Sequence, residues 1–417
     1  MTEGGEPFFY LGDTAWELFH RLSRSEAAYY LQERRRQGFT VIQAAALAEF
    51  GGLTEPNAYA RLPIKEQSGC FSPTALDLDG PYSYWDHVDT VIQMAAEQNL
   101  VIALLPTWGD KFNQRWGQGP EIFTPETAYQ YGKWLGERYR SQWNLIWVLG
   151  GDRPLETTVH HDIIDAMARG LREGDLGFHL ITFHPMGASS SVDFVKDRDY
   201  IDFHMIQSGH GLECYDSWKM LRATGQAEAK PFLDGEPRYE DHPACFRPEL
   251  GVLWNDSDVR QNLYWNLMEG ACGNTYGNHS IWRFQTEPQP YWPFRWMDAL
   301  LHPGAEQVRY GMQLRLSRPY FEFRPAPDLV QDDEASMAHI AAGRGDAYAF
   351  VYSPLGQPIR AHFHPLAGSV VRTSWFDPRN GISTPFAIVP ASRETLFIPP
   401  TSGKGSDWVL IADAFNL

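Results

Sequence analysis

The sequence predicts a (β/α)8 barrel followed by a small antiparallel β-sandwich, and three observations carry that prediction. Over the first three-quarters of the 417 residues, short apolar runs alternate with helical patterns, as in βα units built on a parallel sheet. The strand-like runs number eight. Beyond about residue 320 the helical patterns stop, and β-rich runs separated by Gly, Pro, Asn and Asp follow one another, the texture of a sandwich. The boundaries read as a barrel over 1–320 and a sandwich over 321–417, with the connector "RPYFEFRPAPD" (318–328) between them. A chain of this length exceeds what one core usually supports, so two domains are the natural division.

The strand candidates, in order, are "FFYLG" (8–12), "TVIQAAAL" (40–47), "LVIALLP" (100–106), "LIWVLGG" (145–151), "HLITFHP" (179–185), "IDFHMIQ" (201–207), "KPFLDGE" (230–236) and "GNTYGNH" (273–279). Between them, "SRSEAAYYLQERRRQG" (23–38) opens with Ser23 three residues before Glu26, a capping box, and stops at Gly38. "DHVDTVIQMAAEQN" (86–99) begins at an acid able to cap and sets Val88, Ile92, Ala95 and Ala96 on one face. "TPETAYQYGKWLGERYRSQ" (124–142) has Thr124 as cap and Pro125 at the first helical position. Segments 160–174 and 256–270 read similarly. "YLGDTAW" after the first strand is no GxGxxG, which disfavours an open nucleotide-binding sheet.

Composition narrows the function. The net charge of −17 argues against nucleic acid, and no basic stripe with interleaved aromatics is present. The basic cluster at 33–37 is expected to be a solvated helix end. Four scattered cysteines (Cys70, Cys214, Cys245, Cys272) have no zinc-like spacing, so neither a metal nor another cofactor is expected. No signal peptide and no apolar run of membrane-spanning length appear; a cytoplasmic protein with no membrane partner is expected. The oligomeric state is not encoded in any pattern. The chain is rich in aromatic residues, with 15 Trp, 19 Tyr and 24 Phe, and flat apolar rings suit both core packing and stacking on sugars.

In a (β/α)8 barrel the site forms at the C-terminal ends of the strands. Two acids stand there: Asp152, after the fourth strand in "NLIWVLGGDRP", and Glu236, after the seventh in "KPFLDGEPRYE". Glycoside hydrolysis needs one carboxyl to protonate the leaving oxygen and a second to attack the anomeric carbon or activate water; in retaining enzymes they stand about 5–5.5 Å apart. Both could instead be plain turn residues.

The residues "FFYLGDTAWELFHRLSRSEAAYYLQERRRQGFTVIQ", "WVLGGD", "DGEPRYE" and "SWFDPRNG" (374–381) resemble the apiosidase-like glycoside hydrolases, glycoside hydrolase family 140 and its relatives. Members are (β/α)8 barrels followed by a β-sandwich once labelled as collagen-binding, and the similarity covers nearly the whole chain. The resemblance implies a retaining glycoside hydrolase with Asp152 as acid/base and Glu236 as nucleophile, and exo action is expected because "TWGDKFNQRWGQGPEIF" (107–123) after strand three is long enough to wall the pocket. Retaining barrel glycosidases at large carry Asn-Glu at strand four, where this chain has Gly151-Asp152.

Further substrate-binding candidates are Asp13 and Trp16 in "GDTAW", Trp108 after strand three, His184 and His204 on strands five and six, Gln207, and Glu240 beyond the nucleophile. Asn278, His279 and Trp282 follow strand eight. The alternatives are a metal-dependent barrel hydrolase and a non-catalytic glycan-binding barrel. Against the first, the usual first-strand His-x-His is missing; against the second, both carboxylates are present. The expected partner is a carbohydrate.

Overall fold

In the computed structural model, residues 1, 4–67, 69–211, 216–331 and 336–416 are described. The barrel strands are β1 (Tyr10–Thr14), β2 (Val41–Ala45), β3 (Val101–Leu105), β4 (Leu145–Gly150), β5 (Ile181–His184), β6 (His204–Gln207), β7 (Phe232–Asp234) and β8 (Gly273–Tyr276). β8, β1, β2, β3, β4 and β5 form one parallel curled sheet in that order, and β6 pairs parallel with β7. Backbone bonds from Asp202 N to Ile181 O and from Cys272 N to Phe232 O, both 2.9 Å, link the two pieces into a ring. All eight expected strands are present.

Period-two alternation sorts their side chains. Tyr10, Val41, Ala103, Ile146, Val148, Met205 and Leu233 point inward and pack together in the barrel. Leu11, Ile42, Leu104, Trp147, Ile181 and Phe183 point outward under the helices.

The helices longer than two turns are α1 (Arg24–Arg36), α2 (Tyr84–Glu97), α3 (Pro125–Tyr139), α4 (Thr158–Asp175), α5 (Ser217–Ala227), α6 (Asp256–Met268) and α7 (Pro303–Leu316). Ser23 and Glu26 make the expected capping box on α1, and Thr124 caps α3 ahead of Pro125. α2 starts two residues earlier than expected: Ser83 is its cap, and Asp86 is the third residue that completes the box. An acid at that place signals the first turn rather than the cap itself.

After α7 come β9 (Ala341–Arg344), β10 (Tyr348–Ser353), β11 (Ile359–Ala361), β12 (Val370–Asp377), β13 (Ile382–Pro390), β14 (Thr395–Phe397) and β15 (Trp408–Phe415). The antiparallel sheet runs β9-β10-β15-β12-β13, with Arg324–Pro325 added at the β9 edge, and the β11–β14 pair packs over it. This region docks on α6. The Arg260 guanidinium donates to both oxygens of Asp407, Tyr264 stacks on Tyr352 at 5.0 Å, and Trp265 Nε1 donates to the His339 carbonyl. Asp258–Met268 of α6 are consequently all buried.

Candidate active site

A cavity of about 490 Å³ opens at the C-terminal ends of the barrel strands, and Asp152 and Glu236 both line it. The turn that brings Asp152 there is unusual. Gly150, Gly151 and Asp152 all have positive φ, at +87°, +109° and +56°. A Cβ on Gly150 would lie 2.3 Å from the His184 carbonyl oxygen and one on Gly151 2.8 Å from Gly109 N. Two glycines let the end of β4 press against its neighbours, while the aspartate tolerates the left-handed region better than most residues. Asp152 Oδ2 accepts from Trp116 Nε1 at 3.1 Å and from Arg153 Nη1 at 3.0 Å.

Glu236 is held from below and from the side. Asp234, outward-facing at the end of β7, accepts from the backbone N–H groups of Ser208 and Glu236 and from the Ser208 hydroxyl, so it ties the exits of β6 and β7 together. His210 Nε2 hydrogen-bonds Glu236 Oε1 at 3.2 Å. His184 Nε2 lies 3.2 Å from Oε2, off the hydrogen-bonding direction. His184 is itself ringed by Trp16 and Trp108.

The two carboxyls are driven apart electrostatically. Burial raises Asp152, and the charge of Glu236 raises it further; Arg153, Trp116 and His184 only partly offset this, so it stands above the ordinary aspartate value. Burial would raise Glu236 too, but His184 and His210 outweigh it and hold its carboxyl well below the usual range. One carboxyl raised and the other lowered in a single pocket is the kind of separation that an acid/base division of labour in glycosidic cleavage requires.

Of the other expected residues, Trp16, Trp108, Gln207, His279 and Trp282 line the cavity, and His184 lies directly beneath it. Four do not reach it. Asp13 is on the outward face of β1, fully buried, accepting from Tyr30 and Arg34 of α1. The "ERRRQ" cluster is therefore not simply a solvated helix end, because Arg34 is its buried partner. His204 faces outward from β6, bonded to Ser191 and Glu228. Glu240 accepts from Tyr276 and from Gly304 N at the start of α7, and Asn278 donates to Asp241. All four are packing or capping groups.

Sequence reasoning passed over His210, His242, Phe246 and Tyr291, which also line the cavity. His210 stacks on His242 at 4.5 Å, and His242 meets His279 edge-on at 4.4 Å, forming one wall of rings. The first two sit in aperiodic loops, where only the aromatic excess hinted at a role. Among the described residues, no group of three or more His, Cys, Asp or Glu is arranged to hold a metal ion. No described helix is long and apolar enough to cross a membrane.

Residues 1–322 match the family model "Apiosidase-like, catalytic domain", and residues 325–413 match "Putative collagen-binding domain of a collagenase". A solved structure described as a glycoside hydrolase is 31% identical, with a TM-score of 0.89 over 99% of this chain and 94% of that one. A glycoside hydrolase family 5 structure from Bacteroides vulgatus is 30% identical, with a TM-score of 0.90 over 99% and 91%. A maltogenic α-amylase from Thermotoga neapolitana, 9% identical with a TM-score of 0.58 over 97% and 98%, shares the fold alone. No curated protein matches the sequence.

Proposed function

The chain belongs to the apiosidase-like glycoside hydrolases, and from that premise we propose that it is a retaining, exo-acting glycosidase with Asp152 as acid/base and Glu236 as nucleophile. The observation that carries the reading is the opposite displacement of the two carboxyls in one pocket. Glu236, kept ionised by His184 and His210, attacks the anomeric carbon while Asp152 gives its proton to the departing glycosidic oxygen. A covalent glycosyl-enzyme results. Asp152, now ionised, takes a proton from water as that water attacks the same carbon and breaks its bond to Glu236, which departs as carboxylate, and the sugar leaves with its configuration retained.

Exo action is supported by the walls of the pocket. The loop after β3 contributes Trp108 and Trp116, and the segment after β8 contributes Trp282, Tyr291 and Trp292. Rings on two sides suit a terminal sugar presenting its C–H faces, and apiose is one candidate among pentosides and other glycosides.

The test is hydrolysis of an aryl glycoside panel by wild type, Asp152→Ala and Glu236→Ala, with azide added. Glu236→Ala should yield the inverted glycosyl azide and Asp152→Ala the retained one. Variants as fast as wild type would remove both assignments.

A further inference from the structure

Glu49 lines the same pocket and has no part in the two-carboxylate scheme. Its Oε1 accepts from Arg153 Nη2 at 2.6 Å, while Nη1 of the same guanidinium donates to Asp152 Oδ2 at 3.0 Å. One buried cation is thus shared between two carboxylates. Arg153 cannot turn away from either. It is wholly buried, its Nε donates to the Trp116 carbonyl, Nη1 also donates to the Asp152 carbonyl, and the Trp116 ring lies 4.6 Å from its centre.

We propose that Glu49 is a positioning residue that fixes Arg153 and, through it, sets how tightly Asp152 holds its proton, a role that rests on Asp152 being the acid/base. An arginine guanidinium is a permanent cation in proteins. When Glu49 is ionised, that positive charge is largely spent on Glu49, and a further negative charge faces Asp152. Both effects favour the protonated acid. When Glu49 is neutral, the whole guanidinium charge pulls Asp152 toward carboxylate.

The other groups facing this cluster fit the same arrangement. From the turn after β3, Asp110 is neutralised by Lys111, whose Nζ is 2.8 Å from both its oxygens and also 3.4 Å from the Glu49 carbonyl. Glu236 faces Asp152 from β7, and His184 faces it from β5. Burial pushes Glu49 up to about 7 in spite of Arg153, with Asp110 and Asp152 adding to the rise. Its charge therefore changes near neutrality, where an acid catalyst benefits from holding its proton longer.

The direct test is carbon-13 NMR titration of protein labelled at the aspartate carboxyls, with the Asp152 signal identified by its loss in Asp152→Asn. In Glu49→Gln the Asp152 midpoint should fall by up to about one pH unit, in proportion to how far wild-type Glu49 is ionised while Asp152 titrates, and Glu49→Asp should recover part of the shift. The basic limb of kcat/KM on a phenyl glycoside should retreat to lower pH by the same amount. An Asp152 midpoint unmoved in Glu49→Gln overturns the proposal. If the midpoint moves but Asp152→Ala cleaves phenyl and 4-nitrophenyl glycosides with equal losses, the electrostatic link stands and the acid/base assignment fails instead.

Discussion

Gln43 on β2 reaches across the barrel and donates Nε2–H to the carbonyl of Gly235 at 2.8 Å, one residue before Glu236. Its Oε1 accepts from the Tyr10 hydroxyl at 3.0 Å, so a single inward side chain braces the turn that carries the proposed nucleophile. Gln43→Leu leaves two buried polar groups unpaired at about 1–3 kcal/mol each. The measured outcome should be a lower urea midpoint together with a roughly tenfold lower kcat at little-changed KM, because the turn is displaced while the sugar walls remain.

His210→Phe keeps a ring against Tyr239 and His242 but removes the N–H that holds Glu236 Oε1. Losing a stabiliser of the carboxylate raises the carboxyl pKa. The acidic limb of kcat/KM, which requires ionised Glu236, should therefore move to higher pH by about one unit, while the basic limb stays. A pH profile of wild type and variant checks both limbs at once.

Gly151→Ala places a methyl group 2.8 Å from Gly109 N at a φ of +109°. Backbone strain of about 1–3 kcal/mol is expected, relieved by swinging Asp152 out of register. Loss of about a hundredfold in kcat should accompany it, in line with the cost of a misplacement near 1 Å. Thermal denaturation and kcat on the best aryl glycoside report the two effects separately.

Asp13→Ala separates packing from sugar binding. Removing one partner of a fully buried pair strands the Arg34 charge and should cost about 3–5 kcal/mol in unfolding free energy. KM at a temperature where the variant remains folded should match wild type, because Asp13 faces the helix layer. A raised KM would restore the sugar-contact role expected from "GDTAW".

The barrel was legible because alternating strand and helix periods leave a strong pattern, and the two carboxylates because strand ends point at the site. Which side of a strand a residue occupies was not. Barrel strands are apolar on both faces, so nothing in the composition of "YLGDT" tells Asp13 that it points outward while Gly12 and Thr14 point in. His184 and His204 illustrate the same ambiguity with opposite outcomes, one under the pocket and one in the helix layer. His210 and His242 were invisible for a different reason: loop residues carry no period, and only the closed ring of strands brings them to Glu236.

The docking of the sandwich on α6 has a consequence for how the molecule is made. A barrel helix ordinarily shows one face to water, yet α6 is covered on both, with Tyr264 and Trp265 turned toward Tyr352 and His339. During synthesis the barrel segment leaves the ribosome first, and at that stage α6 carries an uncovered aromatic face. β15, and Asp407 just before it, follow α6 by more than a hundred residues, so the contacts that seal that face are made after the helix itself. The β-rich region thus acts as an intramolecular cover that reaches α6 only after the barrel segment has been made.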